Sequence, residues 1–324
     1  MSRPVIIDTD PGIDDALALL LALQSPEVHP VCICSVCGNL PVATATENIF
    51  RILELQPPLH PPVVARGAEK PLEKEPCHAT FLHGSDGLGD SQASHTAGGT
   101  CASKANELLS PRDGAGEILH QIRSLADPAF LVSLGPLTNV ALALEREPET
   151  MASLESLTVM GGAVAAPGNI TPAAEFNFFF DPLAARKVLS SGLDITLVGL
   201  DVTRKVRLGP GDLQGIPDNP RTRFISSITS SLFNHMQQTQ GRADIPLHDP
   251  LAVAMSCCPV LCRTRNLHLQ VEAGSGLGEG MSLADRRPLL PHLLPEPNVR
   301  VCEEVDKEEM EKLFAERLLW APYS

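Results

Sequence analysis

Val5-Ile-Ile-Asp-Thr-Asp-Pro-Gly-Ile-Asp-Asp-Ala16 is the stretch that decides how this chain is read. An apolar run meets four carboxylates, Asp8, Asp10, Asp14 and Asp15, and an apolar helical pattern follows from Asp14 to Leu23. A strand that turns through Pro11-Gly12 into a helix opens a βαβ unit. One aspartate before a helix is ordinarily a cap, and Asp8 or Asp10 could serve as one. Four together concentrate negative charge that is costly to desolvate unless something cationic is shared there. Oxygen-only ligands suit a hard divalent ion, Ca2+ or Mg2+, rather than zinc. The helix N-terminus adds a modest attraction for anions. Open α/β sheets bind ligands at this end of their strands.

Two other readings of the opening fit less well. Haloacid-dehalogenase-like phosphatases also begin with Asp-x-Asp after a strand. They usually carry Thr or Val two residues after the second Asp, where this chain has Gly12. An EF-hand loop needs alternating oxygen ligands and a Glu at its twelfth position, and neither is present.

Outward from this opening, strands and helices alternate. Strands are expected at Val5–Asp8, Val31–Val36, Pro62–Ala65, Phe130–Leu134, Leu157–Met160 and Ile195–Leu200. Helices are expected at Asp14–Leu23, Thr44–Leu55, Gly114–Leu125, Leu137–Leu144 and Pro182–Ser190. That order predicts an α/β fold: a mainly parallel, Rossmann-like open sheet with helices on both faces. Residues 66 to 112 lack a long periodic run, as functional lids and disordered loops do. Later, Arg221–Gln238 reads as a polar helix, and Leu267–Glu272 with Gly280–Ala284 as a small antiparallel C-terminal hairpin. Strand Val299–Cys302 and helix Lys307–Leu318 close the chain. With no linker and no internal repeat, residues 1–324 are expected to form a single domain.

Composition narrows the classes. A chain of 324 residues with 43% hydrophobic content can bury a large core. No apolar run has the length of a membrane span. The chain enters a strand at once, which predicts a cytoplasmic protein. A net charge of −14 argues against binding nucleic-acid backbones. Nine scattered cysteines read as reduced thiols. Cys34-Ser-Val-Cys37 has no second pair at zinc spacing, so small buried residues explain it better than a zinc site.

Three further segments carry unusual polarity. Val132-Ser-Leu-Gly-Pro-Leu-Thr-Asn139 is a strand end whose carbonyls can face a metal, although an ordinary β-to-α turn also explains it. Gly168-Asn-Ile-Thr-Pro-Ala-Ala-Glu-Phe-Asn177 mixes amides and a carboxylate, which suits a polyhydroxylated ligand whose hydroxyls both donate and accept. His248-Asp-Pro-Leu-Ala-Val253 sets a His-Asp pair at the start of an apolar helix. His83-Gly84 lies in the first long loop and is weak evidence alone.

Taken together, the opening Asp8–Asp15 motif, the Asn169–Asn177 run and the His248–Val253 run resemble the inosine-uridine-preferring nucleoside hydrolases over essentially the whole chain. The resemblance implies the nucleoside hydrolase fold and Ca2+-dependent hydrolysis of the N-glycosidic bond of ribonucleosides to free base and ribose. It implies a Ca2+ ion held by Asp10, Asp15, Asp249 and the main-chain carbonyl of Leu134. Asp10 would be the general base toward the attacking water, because Ca2+ acidifies water less than Zn2+ does. Ribose contacts carry over to Asp14, Asn39, Asn169, Glu175, Asn177 and Asp249, with Met160 against the sugar or simply in the core. The transition state is oxocarbenium-like, and surrounding anionic and amide groups would stabilise its charge. Unpaired polar partners would disfavour a deoxy-sugar. His248 would donate to the leaving base, and His83 would line the base pocket. A homodimer or homotetramer is also implied.

Aromatic stacking on the base would fall to Phe81, Phe178 or Phe233, since aromatic content is 4%. Cys37 stands where a small non-thiol residue is expected before Gly38-Asn39. Two other functions share these residues: a nucleoside-binding protein without turnover, and a hydrolase of an unusual ribosyl compound. Release of ribose separates the first, and a substrate panel the second.

Overall fold

The structure, a computed structural model, describes residues 2–91 and 107–323. Its centre is an eight-stranded sheet. Strands β1 (Arg3–Thr9), β2 (Val28–Ser35), β3 (Val63–Arg66), β4 (Phe130–Ser133), β5 (Ser156–Met160) and β6 (Ile195–Val198) come from the alternating part of the chain. Two-residue strands β7 (Arg207–Leu208) and β8 (Ile245–Pro246) pair with each other outside it. Strands β9 (Cys262–Leu267), β10 (Leu269–Val271), β11 (Ser282–Ala284) and β12 (Val299–Val305) complete the set. The order in the large sheet is β3-β2-β1-β4-β5-β6-β12-β9, parallel except for β9, which runs antiparallel to β12 at one edge.

This order places the ligand crevice. The chain winds from β1 outward through β2 to β3, then returns to the other side of β1 for β4, β5 and β6. The direction reverses between β1 and β4, and their carboxyl ends form a switch point where α/β sheets bind ligands. Asp10 leaves β1 there and Leu134 leaves β4 there. The Leu134 amide donates to the Asp8 carbonyl at 2.7 Å, holding the two ends side by side.

Both faces of the sheet are covered. In β1, Val5 and Ile7 face the core built on helix Ile13–Gln24, whereas Ile6 faces the core that holds Ile118 and Leu119 of helix Gly114–Ser124. That alternation is the period of two of a pleated strand. Strands enclosed on both faces read as unbroken apolar runs, and this is why β1 and β2 stand out in the sequence.

The later part departs from expectation in detail. The antiparallel hairpin is present, but its strands are Leu269–Val271 and Ser282–Ala284, and Leu267 belongs to β9. Strand β9, Cys-Arg-Thr-Arg-Asn-Leu, has four consecutive exposed residues and no alternation to betray it. Backbone pairing with β12 makes it a strand. The closing helix runs from Lys307 to Phe314 and ends in a wider π turn, Ala315–Leu319. In the long first loop, Thr80–His83 forms one helical turn, and residues 92–106 lie outside the described residues. Among the described residues no helix is long and apolar enough to cross a membrane.

Candidate active site

The turn after β1 is built by its own carboxylates. Asp15, in the first turn of helix Ile13–Gln24, accepts from the Gly12 amide at 3.1 Å and the Asp10 amide at 3.2 Å. It also accepts from Thr9 Oγ1 at 2.5 Å and Asn39 Nδ2 at 3.3 Å. The helix cap is therefore Gly12 with Asp15 closing the box, not Asp8 or Asp10. Asp10 Oδ2 accepts from the Asn39 amide at 2.6 Å, while its Oδ1 is buried without a hydrogen-bond partner. Glycines 38 and 135 crowd the Asp10 carboxyl so closely that an added Cβ would stand 2.0 Å and 2.6 Å from its oxygens.

Asp8 does not share this site. It is fully buried, and its Oδ1 accepts from Asn139 Nδ2 at 2.7 Å, with Ser133 Oγ at 3.5 Å from Oδ2. Burial raises its carboxyl to about 7, against the pull of those donors. Asn139 also donates to the Ser35 carbonyl and accepts from the Ala68 amide, so one side chain ties together the ends of β1, β2 and β3.

Asp14 turns the other way. Its Oδ2 accepts from the amides of both His248 (3.0 Å) and Asp249 (3.1 Å), binding the start of helix His248–Cys257 to the β1 turn across 234 residues of sequence. Its Oδ1 is buried and unpartnered. Burial raises the Asp14 carboxyl to about 8, partly offset by the Asp249 amide.

Asp10, Asp15 and Asp249 converge. Burial raises the carboxyls of Asp10 and Asp249 well above the ordinary range, and the Asp15 charge adds to both. Among the described residues no three His, Cys, Asp or Glu side chains form a ready-made metal cage. Still, three nearly buried carboxylates with an unpartnered oxygen on Asp10 are the donor set a hard divalent cation neutralises, so the residues fit such an ion.

The Asn169–Asn177 run meets this floor from the β5 side. Asn177 Nδ2 donates to the Leu134 carbonyl at 2.7 Å and the Met160 carbonyl at 3.2 Å, spanning the ends of β4 and β5. Glu175 caps the short helix Phe176–Phe180 by accepting from the Asn177 and Phe178 amides, and it also accepts from the Gly162 amide at 2.9 Å. Burial raises its carboxyl despite these donors. Asn169 is exposed and accepts from the Phe176 amide at 2.9 Å. Met160 is buried.

Against the β1 turn itself, His83 Nδ1 accepts from the Ile13 amide at 3.1 Å. That bond leaves the proton on Nε2 in the neutral ring. Burial lowers His83 to about 4. An added Cβ at Gly12 would stand 2.6 Å from His83 Nδ1, so the Pro11-Gly12 turn needs glycine for this ring to seat. His248 Nδ1 lies 2.7 Å from Thr203 Oγ1, and burial first, then the charges of Arg204 and Arg207, lower it to about 3. Of the three phenylalanines expected to stack on a base, Phe178 and Phe233 are buried in the two cores and Phe81 is 70% exposed. Cys37 is buried beside Val42 and Phe180.

Comparison with known proteins gives the family. Residues 5–312 match the family model described as inosine-uridine preferring nucleoside hydrolase. The chain belongs to that family. As a member it is an N-ribosyl hydrolase, an enzyme that cleaves the N-glycosidic bond of nucleosides. The pyrimidine-specific ribonucleoside hydrolase RihA of Salmonella paratyphi B is 36% identical over 321 residues, covering 98% of this chain and 99% of that protein. A plant nucleoside hydrolase superposes with a TM-score of 0.87 at 30% identity, over 99% of this chain and 100% of that one. The purine-preferring ribonucleoside hydrolase from Gardnerella vaginalis does so with a TM-score of 0.84 at 26% identity, over 98% of each chain.

This nucleoside hydrolase contains polar residues at the site that sequence reasoning passes over. Asp201, Thr203 and Arg204 form one turn after β6; Thr203 bonds His248, Arg204 bonds the Gly168 carbonyl, and Asp201 bonds the Ala165 amide just before Gly168. The only signal is polarity in Leu200-Asp-Val-Thr-Arg204 directly after an apolar strand. Asn139, read as an ordinary helix start, is the partner that removes Asp8 from the carboxylate cluster.

Proposed function

We propose that this nucleoside hydrolase hydrolyses ribonucleosides of the inosine or uridine kind to base and ribose in a Ca2+-dependent reaction. Asp10, Asp15, Asp249 and the Leu134 carbonyl would hold the ion. When bound, Ca2+ would supply positive charge to the carboxylate floor and oxygen-binding positions for water and sugar hydroxyls. The single observation that carries the reading is Asp10. One oxygen is fixed by the Asn39 amide, and the other is buried with nothing to bond. A carboxylate held that way has one lone-pair face free to take a proton from an attacking water.

The remaining roles follow from what each side chain still has to offer. Asp14 keeps one free oxygen for a ribose hydroxyl while the other anchors the His248 helix. Asn39, Asn169, Glu175, Asn177 and Asp249 surround the sugar, and Met160 lies against it. Their anionic and amide dipoles favour the positive charge of an oxocarbenium-like transition state, without reorganisation at the moment of reaction. Across the sugar, His248 and His83 face the leaving base as neutral rings. A neutral imidazole whose Nδ1 accepts, as that of His83 does from the Ile13 amide and that of His248 would from a donating Thr203 hydroxyl, presents Nε2–H, a donor for base nitrogen or oxygen.

The curated relative at 36% identity is pyrimidine-specific, which puts uridine and cytidine first in a substrate panel that also includes inosine, guanosine and a deoxyriboside. Ribose release is measured for each before chelation, after it, and after Ca2+ is restored. The reading expects turnover of at least one ribonucleoside, its loss with chelator and its recovery with Ca2+. Binding without release of ribose, or turnover that ignores thorough chelation, would overturn it.

A further inference from the structure

The turn after β6 touches both halves of the site. It is docked on the loop after β5 at close range: the Leu200 amide donates to the Gly162 carbonyl at 3.0 Å. A Cβ on Gly199 would stand 2.9 Å from that same carbonyl oxygen, so only glycine permits the approach. From this anchor three side chains reach outward. Asp201 accepts from three successive amides, Val164 at 2.8 Å, Ala165 at 2.7 Å and Ala166 at 3.1 Å. Arg204 donates to the next two carbonyls, Pro167 at 2.8 Å and Gly168 at 2.7 Å. Five consecutive residues of the loop that delivers Asn169 are therefore clamped by one acid and one base. Thr203, fully buried between them, bonds His248 Nδ1 at 2.7 Å.

We infer that Leu200–Arg204 is a positioning turn that sets the sugar-side loop and the base-side histidine in register: Asp201 and Arg204 hold Val164–Gly168, and Thr203 holds the His248 ring with its Nε2 toward the leaving base. The inference rests on the reading of His248 and Asn169 above. Physically, a loop of Val, Ala, Pro and Gly has no polar side chain of its own to bond its backbone in place, so those hydrogen bonds must come from a neighbour. An imidazole tethered only through its backbone rotates about two side-chain bonds until a second contact stops it. Both restraints come from a single rigid turn, so an error in that turn displaces sugar and base contacts together.

The test separates this inference from the reading beneath it. Steady-state kinetics are measured with a ribonucleoside and with p-nitrophenyl riboside, whose leaving group needs no proton. His248→Ala is the reference, since a rate loss confined to the nucleoside supports the donor role and equal losses refute that role. Given that selective loss, Thr203→Val should lower kcat on the nucleoside at least tenfold and leave p-nitrophenyl riboside within twofold, and Thr203→Ser should restore the nucleoside rate. Asp201→Ala and Arg204→Gln should raise KM about tenfold for both substrates with kcat changed less than threefold. Melting curves and circular dichroism establish that each variant is folded. A His248→Ala enzyme that shows the selective loss beside a Thr203→Val enzyme that does not, a Thr203→Ser enzyme that fails to rescue, or unchanged KM in folded Asp201→Ala would overturn the positioning role.

Discussion

The two walls of the crevice handle burial in opposite ways. At the mouth of β1, carboxylates are crowded together and satisfied by backbone amides and polar side chains: Asp15 alone accepts from the Gly12 and Asp10 amides, Thr9 Oγ1 and Asn39 Nδ2. Next to them, two histidines packed against the same turn each have Nδ1 engaged by one neutral group, the Ile13 amide or the Thr203 hydroxyl. The first wall accumulates negative charge that calls for a cation. The second keeps its titratable groups uncharged and presents donors. In the proposed reaction, the attacking water would meet the anionic side and the leaving base would meet hydrogen-bond donors on the neutral side. The contrast also teaches that buried ionisable residues are not equivalent. Asp8 and Asp10 lie two residues apart at the end of one strand, yet Asn139 and Ser133 engage Asp8 while Asp10 keeps a bare oxygen.

The largest expected effect breaks the anionic wall. Asp10→Ala should reduce turnover by roughly 10³–10⁴-fold, the upper part of the range for a lost general base, in a protein that remains folded. Substantial activity in this variant, with Ca2+ still bound by calorimetry, would remove Asp10 from the mechanism. Next, Asp15→Ala and Asp249→Ala should weaken Ca2+ binding more than they alter folding, so activity should recover as Ca2+ is raised. Activity that is lost at every Ca2+ concentration would show that these carboxylates do more than hold the ion. On the neutral wall, His248→Ala should slow nucleoside cleavage by roughly 10²-fold, the lower end for general acid catalysis. Equal slowing of p-nitrophenyl riboside would make His248 a packing residue.

Smaller effects sharpen the same contrast. Asn177→Ala removes the donor to the Leu134 and Met160 carbonyls and a sugar-side amide, so the loss should be about 1–3 kcal/mol in kcat/KM. It should be greater for ribosides than for deoxyribosides, and a loss of the same size on both would place Asn177 outside sugar recognition. Least of all should be Asp8→Asn. An amide there can still accept from Asn139 and donate to Ser133, so activity should change by about 1 kcal/mol or less. If Asp8→Asn proves as damaging as Asp10→Ala, the distinction between the two strand-end carboxylates is wrong.

The frame of the molecule was legible because its strands are covered on both faces. Val5-Ile-Ile and Val31-Cys-Ile-Cys are apolar without interruption, and the helices between them carry their own turn signals. Strand β9 was not legible, because an edge strand with four exposed residues has no pattern that distinguishes it from a loop. At the site, the Asp8–Asp15 motif, Asn169–Asn177 and His248-Asp249 are visible as clusters of polar residues at strand ends. The structure gathers these segments around the carboxyl ends of β1, β4 and β5.

The sequence by itself determined that carboxylates would crowd the end of the first strand, that the sheet would be mainly parallel, and that polar segments would recur at later strand ends. These are local properties: periodicity, turn residues and charge density over a few positions. Tertiary structure alone decided which carboxylate does what. Asp14 became the cap of a helix 234 residues away, Asp8 was claimed by Asn139, and the Thr203 hydroxyl met the His248 ring. Each depends on a partner that is distant in the chain, and a hydrogen bond is set by distance and direction in space, which no spacing along the sequence records.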